Sequence, residues 1–257
     1  MNRTNRTIAI LLGIGLTAGI LGGLLGIGGG VFIVPALVFF LAFEQHRAHG
    51  TSLAVVIALS SVGAITYFAH GNVDLLFAAG IAVGGMVGAI VGGGIVQHIK
   101  SSALRRMFCV FLILTGAKMI YDGCAIKHAA VLHAAVFSGT PILLAVGAGV
   151  LTGVLSALLG VGGGIIMVPV LTVLLHFPQP AAQGTSLAAM LPIAFTGVLK
   201  HGKLGNVDRR VAFWIGLGAA IGALAGSQLA NVLHPCALKL TFGIFLVIMA
   251  ALMAAKK

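Results

Sequence analysis

Acidic residues are almost absent from this 257-residue chain, which has only four: Glu44, Asp74, Asp122 and Asp208. Charged residues of either sign make up 7% of the sequence, whereas soluble domains carry about 25%. So few charges could not cover a water-facing surface, which excludes a soluble enzyme, a coiled coil and a disordered chain. The three cysteines show no C-x-x-C spacing, so they predict neither a disulfide framework nor a metal site.

Apolar residues fill the space that charges leave, at 60% of the sequence. Because lipid forces backbone polar groups to pair internally, and no strand-like alternation is visible, we predict an all-α polytopic membrane protein. Arg3 and Arg6 precede the first apolar run, as in a signal peptide. That run has a full counterpart in the middle of the chain and no small-x-small cleavage site, so we interpret it as a membrane segment.

The chain contains one pattern twice, since Leu155 follows its counterpart Leu21 by 134 residues. Residues 21–41, LGGLLGIGGGVFIVPALVFFL, align without a gap to residues 155–175, LSALLGVGGGIIMVPVLTVLL. The same offset aligns two Gly-Thr-Ser-Leu-Ala blocks and two Gly-Asn-Val-Asp blocks. Chance agreement among apolar residues does not explain three Gly-rich or polar blocks in one register, so we infer an internal duplication.

Each copy divides into five apolar segments, of which the second is short. Its length of about 13 residues gives roughly 20 Å of helix, too little to cross the hydrocarbon core. A glycine run separates it from the first segment, and Pro35 or Pro169 bends it. Each copy is therefore expected to be a broken or re-entrant helix pair plus three transmembrane helices, which makes about eight to ten membrane segments in all. The predicted segments are 8–25, 31–43, 50–69, 75–98 and 103–121, then 141–159, 165–177, 184–201, 211–233 and 236–254.

Cationic residues gather in cytoplasmic loops, and here they change place between the copies. In the first copy they lie between segments four and five, at 99–106; in the second they lie between segments three and four, at 200–210. An odd number of segments per copy gives this result, because the second copy then enters the membrane upside down. We therefore predict two inverted-topology repeats in a bacterial or archaeal plasma membrane, arranged as a cytoplasmic N-terminus (1–7), first repeat (8–121), connecting loop (122–140), second repeat (141–254) and cytoplasmic C-terminus (255–257).

Inverted repeats are typical of secondary transporters, which bind substrate near the midplane on discontinuous helices. A Walker A motif is absent, and four acids do not supply the acid, base or metal constellation of an enzyme. We expect no cofactor, metal or nucleic-acid partner. The expected partners are a small anionic substrate and membrane lipid. The sequence leaves open whether the chain forms a homo-oligomer.

The repeated blocks also carry a family resemblance. GLLGIGGGVFIVPAL, GVGGGIIMVPVL, the two GTSLA blocks and the two GNVD blocks resemble the TauE/SafE sulfite-exporter family, from Gly13 to Met253. The resemblance implies transport of a small sulfur-containing anion such as sulfite, thiosulfate or an organosulfonate, often outward. Combined with the inverted repeats, it predicts alternating access between two halves. A channel-like anion facilitator and an importer of the same anions are the alternatives.

The glycine runs that interrupt each copy are the first candidate site. A helix that restarts there presents free N–H groups and a positive dipole end, which suits an oxyanion; the alternative is close helix packing. The glycines spaced by one turn from Gly84 to Gly92 and from Gly218 to Gly226 instead predict packing seams. The candidate substrate-binding glycines are Gly28, Gly29, Gly30, Gly162, Gly163 and Gly164.

Hydroxyl groups stand at the predicted start of segment three in both copies, at Thr51, Ser52, Thr185 and Ser186. Such hydroxyls could donate to an oxyanion and so complete the substrate site. They could equally accept from the first-turn N–H groups as N-caps, and the sequence is compatible with both interpretations.

Further polar residues at matching positions are candidates for coupling or gating. An acid within the membrane is an ion or proton site by default, but Asp or Asn before an apolar helix is commonly an N-cap, which is the interpretation favoured here. A histidine in one copy aligns with a glutamine in the other, which argues against a proton relay at both positions. Tyr67, near a segment end, fits an interfacial aromatic belt. The candidates are His49, Gln183, Asn72, Asp74, Asn206 and Asp208.

Overall fold

The computed structural model describes residues 3–96, 101–125, 142–159 and 163–255, and these form ten α-helices and no strand. The all-α prediction is thereby confirmed. The predicted connecting loop beyond Ala125 and the terminal residues 256–257 lie outside the described residues. The helices are α1 Arg3–Leu25, α2 Gly30–Leu41, α3 Gln45–Ala69, α4 Leu75–Val96, α5 Ser101–Ala125, α6 Ile142–Leu159, α7 Gly164–Pro169 (continued by a π-helical turn, Val170–Leu174), α8 Gln179–Lys203, α9 Arg209–Val232 and α10 Pro235–Ala255.

Six of the described helices are long and apolar enough to cross a membrane. The chain is therefore a multi-pass membrane protein. Its outer surface carries large apolar side chains, among them Phe39 and Phe40 on α2, as a lipid-facing surface requires. The spans are Thr7–Leu25, Gln45–Ala69, Leu75–Gly92, Gln179–Lys203, Arg209–Val232 and Pro235–Ala254.

The short second segments exist, with slightly different bounds. The helix α2 has 12 residues, about 18 Å, and α7 with its π-helical turn ends at Leu174. Both end in a residue other than glycine with positive φ, at Ala42 (51°) and His176 (56°), which stand 134 residues apart. The two short segments are therefore followed by the same uncommon backbone conformation at equivalent positions.

The predicted start of segment three is wrong in both copies. The helices α3 and α8 begin five residues earlier, at Gln45 and Gln179, so Gly-Thr-Ser lies in the second turn and not at the helix end. Both helices can start earlier because no residue between the observed start and each block breaks a helix. Pro180 lies in the first turn, where its missing N–H costs nothing. The N-cap positions are therefore Glu44 and Pro178.

The one-turn glycine spacing forms the predicted packing seams. A Cβ at Gly218, Gly222 or Gly226 of α9 would collide with backbone carbonyls of α1. Glycines 84 and 88 of α4 meet carbonyls of α6 in the same way. Because only a hydrogen occupies each position, these helix backbones come into direct contact.

Helix pairing shows that the halves interlock. The helix α1 of the first half packs on α9 of the second, and α6 of the second half packs on α4 of the first. At the centre, α3 packs on its counterpart α8, and α5 packs on its counterpart α10. Each contact between the halves therefore recurs with the halves exchanged, which agrees with the internal duplication. The opposite membrane orientation of the halves stays a prediction.

Candidate functional site

The first glycine break, residues 26–29, separates α1 from α2. Gly26, Gly28 and Gly29 have φ near +70°, a conformation that only glycine adopts without strain. Gly29 occupies the N-cap position of α2, and its carbonyl accepts hydrogen bonds from the N–H groups of Phe32 and Ile33. The N–H groups of the first helical residues, which precede these donors, have no intrahelical acceptor.

The helices α3 and α8 enclose the first glycine break from two sides. On the α3 side, a Cβ at Gly30 would lie 3.8 Å from Ser52 Oγ and from Val56 Cγ2. On the α8 side, a Cβ at Gly28 would lie 2.5 Å from Met190 Cε. The glycine break is thus buried between the two central helices, and the first residues of α2, Gly30 to Phe32, are partly buried.

The described end of the second glycine break, Gly163 and Gly164, leads into α7 beside the first. A Cβ at Gly164 would lie 2.6 Å from Ile27 Cα, so the start of α7 lies directly against the first glycine break. Gly163 has φ −62°, in the right-handed helical region, whereas its counterpart Gly29 is left-handed. Gly162 lies outside the described residues. The structure therefore places Gly164 against Ile27, the residue before Gly28, and the binding role of these glycines stays a prediction.

Gln183 is a fully buried polar residue beside the first glycine break. A Cβ at Gly26 would lie 2.5 Å from its Cα. The Tyr67 hydroxyl lies 3.0 Å from both Gln183 Oε1 and the Gly23 carbonyl oxygen, so its single proton can be donated to either. Gln183 Nε2 has no hydrogen-bond partner among the described residues, which leaves a buried donor beside the break.

Ser186 adds a second buried polar atom on the same helix. It lies between Gln183 and Met190 at i+3 and i−4 spacing, which places all three on one face of α8. Its Oγ has no hydrogen-bond partner among the described residues. An unpaired buried donor costs free energy, roughly 1–3 kcal/mol, so a ligand that accepted these hydrogen bonds would be stabilised.

The two buried threonines link the halves reciprocally. Thr51 Oγ1 accepts a hydrogen bond from the Asp208 N–H at 3.0 Å, and Thr185 Oγ1 accepts one from the Asp74 N–H at 3.1 Å. Neither threonine is an N-cap, because both lie inside their helices, and the same position rules out that role for Ser52 and Ser186. Each threonine keeps its own hydroxyl proton for another acceptor, so a role as an anion donor stays a prediction.

The paired aspartates cap the following helices. Asp74 Oδ1 accepts from the Phe77 N–H at 2.8 Å, and Asp208 Oδ1 accepts from the Val211 N–H at 3.0 Å. These hydrogen bonds are those of the capping interpretation. Nothing in them requires ion coupling, which stays a prediction.

Asp208 differs from Asp74 by an ion pair. Arg47 Nη2 donates to Asp208 Oδ2 at 2.6 Å. Partial burial favours the neutral carboxyl, but the Val211 N–H and the Arg47 guanidinium stabilise the carboxylate more strongly, which lowers the pKa of Asp208.

The paired asparagines use their backbone at the interface between halves. A Cβ at Gly184 would collide with the Asn72 carbonyl, and a Cβ at Gly50 would collide with the Asn206 carbonyl. The Asn72 side chain also donates to Asn231 Oδ1 at 2.7 Å. Both asparagines therefore fix loop positions against the central helices.

His49 and His201 form a contact that the sequence did not predict. Their rings meet edge to face with centroids 5.6 Å apart. They are the counterparts of Gln183 and Tyr67 at the 134-residue offset. The same contact is thus made once by tyrosine and glutamine and once by two histidines. The offset relates the two contacts but reveals neither, because each depends on how α3 and α8 cross. The predicted interfacial position of Tyr67 is wrong, since its side chain is fully buried.

Comparisons with known proteins agree with this architecture. A model of the family described as sulfite exporter TauE/SafE matches residues 1–119 and 145–257. The chain is 30% identical to the probable membrane transporter protein YunE of Bacillus subtilis, over 87% of this chain and 88% of that protein. It is 31% identical to the probable membrane transporter protein MJ0441 of Methanocaldococcus jannaschii, over 76% of this chain and 72% of that one. No solved structure matches the chain.

Proposed function

The chain belongs to the TauE/SafE sulfite-exporter family, whose members here are named probable membrane transporters, and from this premise we propose that it is a secondary transporter of a small sulfur-containing anion. Sulfite, thiosulfate and organosulfonates are the substrates proposed, with export as the direction. The proposed location is the plasma membrane of a bacterial or archaeal cell, with both termini in the cytoplasm.

One observation supports the anion in particular: the buried donors beside the first glycine break. The start of α2, Gln183 Nε2 and Ser186 Oγ offer hydrogen-bond donors, and no carboxylate lies among these groups. The acids Asp74 and Asp208 are instead engaged at helix ends. Neutral donors and a helix N-terminus bind an oxyanion without needing a buried cation, which the bilayer would make costly.

The proposed mechanism is alternating access between the two halves. The glycine breaks meet near the centre, while reciprocal contacts join the halves around Asp74 and around Asp208. Opening either set of contacts would expose the centre to one side of the membrane. This arrangement supports a carrier more than a continuous channel, because both sets of contacts between the halves are formed in the same conformation.

Radiotracer flux into proteoliposomes tests the proposal. Labelled sulfite, thiosulfate and an organosulfonate are each presented to liposomes that contain the purified protein and to empty liposomes. We expect saturable uptake and counterflow of at least one anion. Equal uptake by empty liposomes for all three would reject the substrate class, and ohmic single-channel current would favour the facilitator.

Two leucine variants test the location of the site. Leucine at Gly30 would project toward Ser52 and Val56 and fill the proposed site, and the backbone there allows a side chain. Leucine at Gly13, where a Cβ would meet no atom within 4 Å, is the matched control. We expect Gly30→Leu to lose flux and Gly13→Leu to keep it, with equal yields of folded protein. Normal flux in a folded Gly30→Leu variant would reject the site.

A further inference from the structure

A lateral groove of about 830 Å³ lies between α3, α8 and α9, away from the glycine breaks. Its walls are mostly small or apolar side chains. Exposed Leu199, Phe213 and Leu217 form its rims, so the groove opens on the lipid-facing surface of the bundle. The full lining comprises Ala54, Ala58, Val198, Leu199, Gly202, Lys203, Val207, Arg209, Ala212, Phe213, Gly216, Leu217 and Ala220.

The groove has a cationic mouth at one end. Lys203 ends α8 and Arg209 begins α9, and both line the groove. Lys200 and Arg210 lie next to them in the sequence. The one acid in this loop, Asp208, is paired with Arg47. Within the part of the chain that the structure describes, neither Lys203 nor Arg209 enters an ion pair.

An apolar groove that opens into hydrocarbon and ends in two unpaired cations matches the two parts of a phospholipid. We propose that it binds one anionic glycerophospholipid, with an acyl chain along α8 and α9 and the phosphate at Lys203 and Arg209. The excess of cations in the loop between α8 and α9 supports an anionic lipid as the occupant, because such loops face the anionic cytoplasmic leaflet.

The duplication supplies an internal comparison. At the 134-residue offset, Gly202 corresponds to Phe68, Lys203 to Ala69 and Arg209 to Leu75. The equivalent surface of the other half therefore has a phenyl ring where the groove has a hydrogen atom, and no cation at its end. Helix packing alone would be expected to give a similar groove in both halves. The open space and the cations are instead found together in one half, as a lipid site requires.

Native mass spectrometry of the full-length protein, released from nanodiscs, tests the site. The nanodiscs contain equal amounts of phosphatidylglycerol and phosphatidylcholine with identical acyl chains. We expect one phosphatidylglycerol to be retained preferentially. Lys203→Gln and Arg209→Gln should each lower that preference about fivefold. Arg106→Gln removes another exposed cation, near the start of α5, and should leave the preference unchanged.

A second variant tests the acyl-chain part of the site. Gly202→Phe installs the residue of the other half, and no atom lies within 4 Å of its Cβ, so the substitution fits the fold. It should lower retention of both lipids. Equal retention of the two lipids by the wild-type protein, or an equal effect of Arg106→Gln, would overturn the proposal. Displacement of the lipid by inorganic phosphate would also overturn it, since it would show a free-anion site. None of these results depends on transport.

Discussion

The two ends of the molecule make one equivalent contact with different chemistry. At one end, Tyr67 and Gln183 are fully buried and hydrogen-bonded. At the other, His49 and His201 touch ring to ring and are partly exposed. We call these the tyrosine–glutamine pair and the histidine pair. Each pair joins α3 to α8, so each lies where the two halves would separate in alternating access.

The chemical difference between the two pairs suits them to different roles, whereas a fully symmetric carrier would have the same contact at both ends. The tyrosine–glutamine pair is neutral across physiological pH and adjoins the glycine break, so it suits a contact whose strength does not vary with pH and that also holds a donor for substrate. The histidine pair consists of two ionisable rings, and His46 and Lys200 lie close enough to act on their charge. A duplicated fold can thus have one end that responds to pH and one that does not.

Removing the Gln183 amide should have the largest effect. Gln183→Leu keeps the size and burial of the side chain but deletes the donor proposed for the anion. A hydrogen bond to a charged group is worth about 1.5–3 kcal/mol, so we expect proteoliposome flux to fall about 10- to 100-fold. His49→Leu, at the equivalent position, is the control and should retain most of the flux at pH 7.5. Equal losses in both would show that the two ends are not specialised.

Removing the Tyr67 hydroxyl should reduce stability. Tyr67→Phe leaves Gln183 Oε1 without its buried donor, which should lower the free energy of unfolding by about 1–3 kcal/mol. Thermal unfolding in detergent micelles measures the change. Tyr121→Phe, on a side chain that is 70% exposed, should shift the midpoint far less. A Tyr67→Phe protein as stable as the wild type would mean that the hydroxyl contributes nothing.

Exchanging the residues between the two pairs tests pH dependence. In the wild type, acidification to pH 5 should add positive charge to the histidine pair beside His46 and Lys200, so we expect that end to loosen and flux to rise several-fold above its value at pH 7.5. The double variant His49→Gln, His201→Tyr gives this end the residues of the other, and its flux should be flat over that range. A pH profile unchanged by the double variant would place the titrating group elsewhere.

The offset of 134 residues predicted the main features of the fold, because duplicated sequence imposes duplicated local structure. It placed both glycine breaks and both short helices, and it put the capping aspartates at equivalent loop ends. Apolar composition sufficed for the helical class, since lipid permits few alternatives.

Contacts between the halves could not be predicted in this way. Tyr67 and Gln183 are 116 residues apart, and their contact depends on how α3 and α8 cross. The sequence alone therefore predicts Tyr67 at the membrane–water interface, whereas its side chain is fully buried. The aligned glycines Gly29 and Gly163 also differ in backbone conformation, which their identical residue type does not indicate. Gly29 has a left-handed φ, and Gly163 has a right-handed helical φ. Glycine permits both conformations, so tertiary packing chooses between them.

The smallest predicted effect distinguishes the two capping aspartates. Both accept from a backbone N–H, but only Asp208 also pairs with a cation, Arg47. Because its pKa is lower in the folded protein, the stabilisation is complete above the ordinary value of 3.8 and is lost as the pH falls below it. The Arg47 side chain is half exposed, so the ion pair contributes about 1 kcal/mol or less.

Asparagine at position 208 isolates this ion pair, since its amide oxygen can still cap the helix. We expect Asp208→Asn to lower the unfolding midpoint slightly at pH 7 and to lose the difference from wild type as the pH falls through the folded pKa of Asp208. Asp74→Asn, which has no ion pair to lose, should show a smaller difference at pH 7. If both variants lowered the midpoint equally and with the same pH dependence, the two ends would differ in their histidines but not in their caps, because the Arg47 contact would then add no stability beyond the cap that Asp74 already provides.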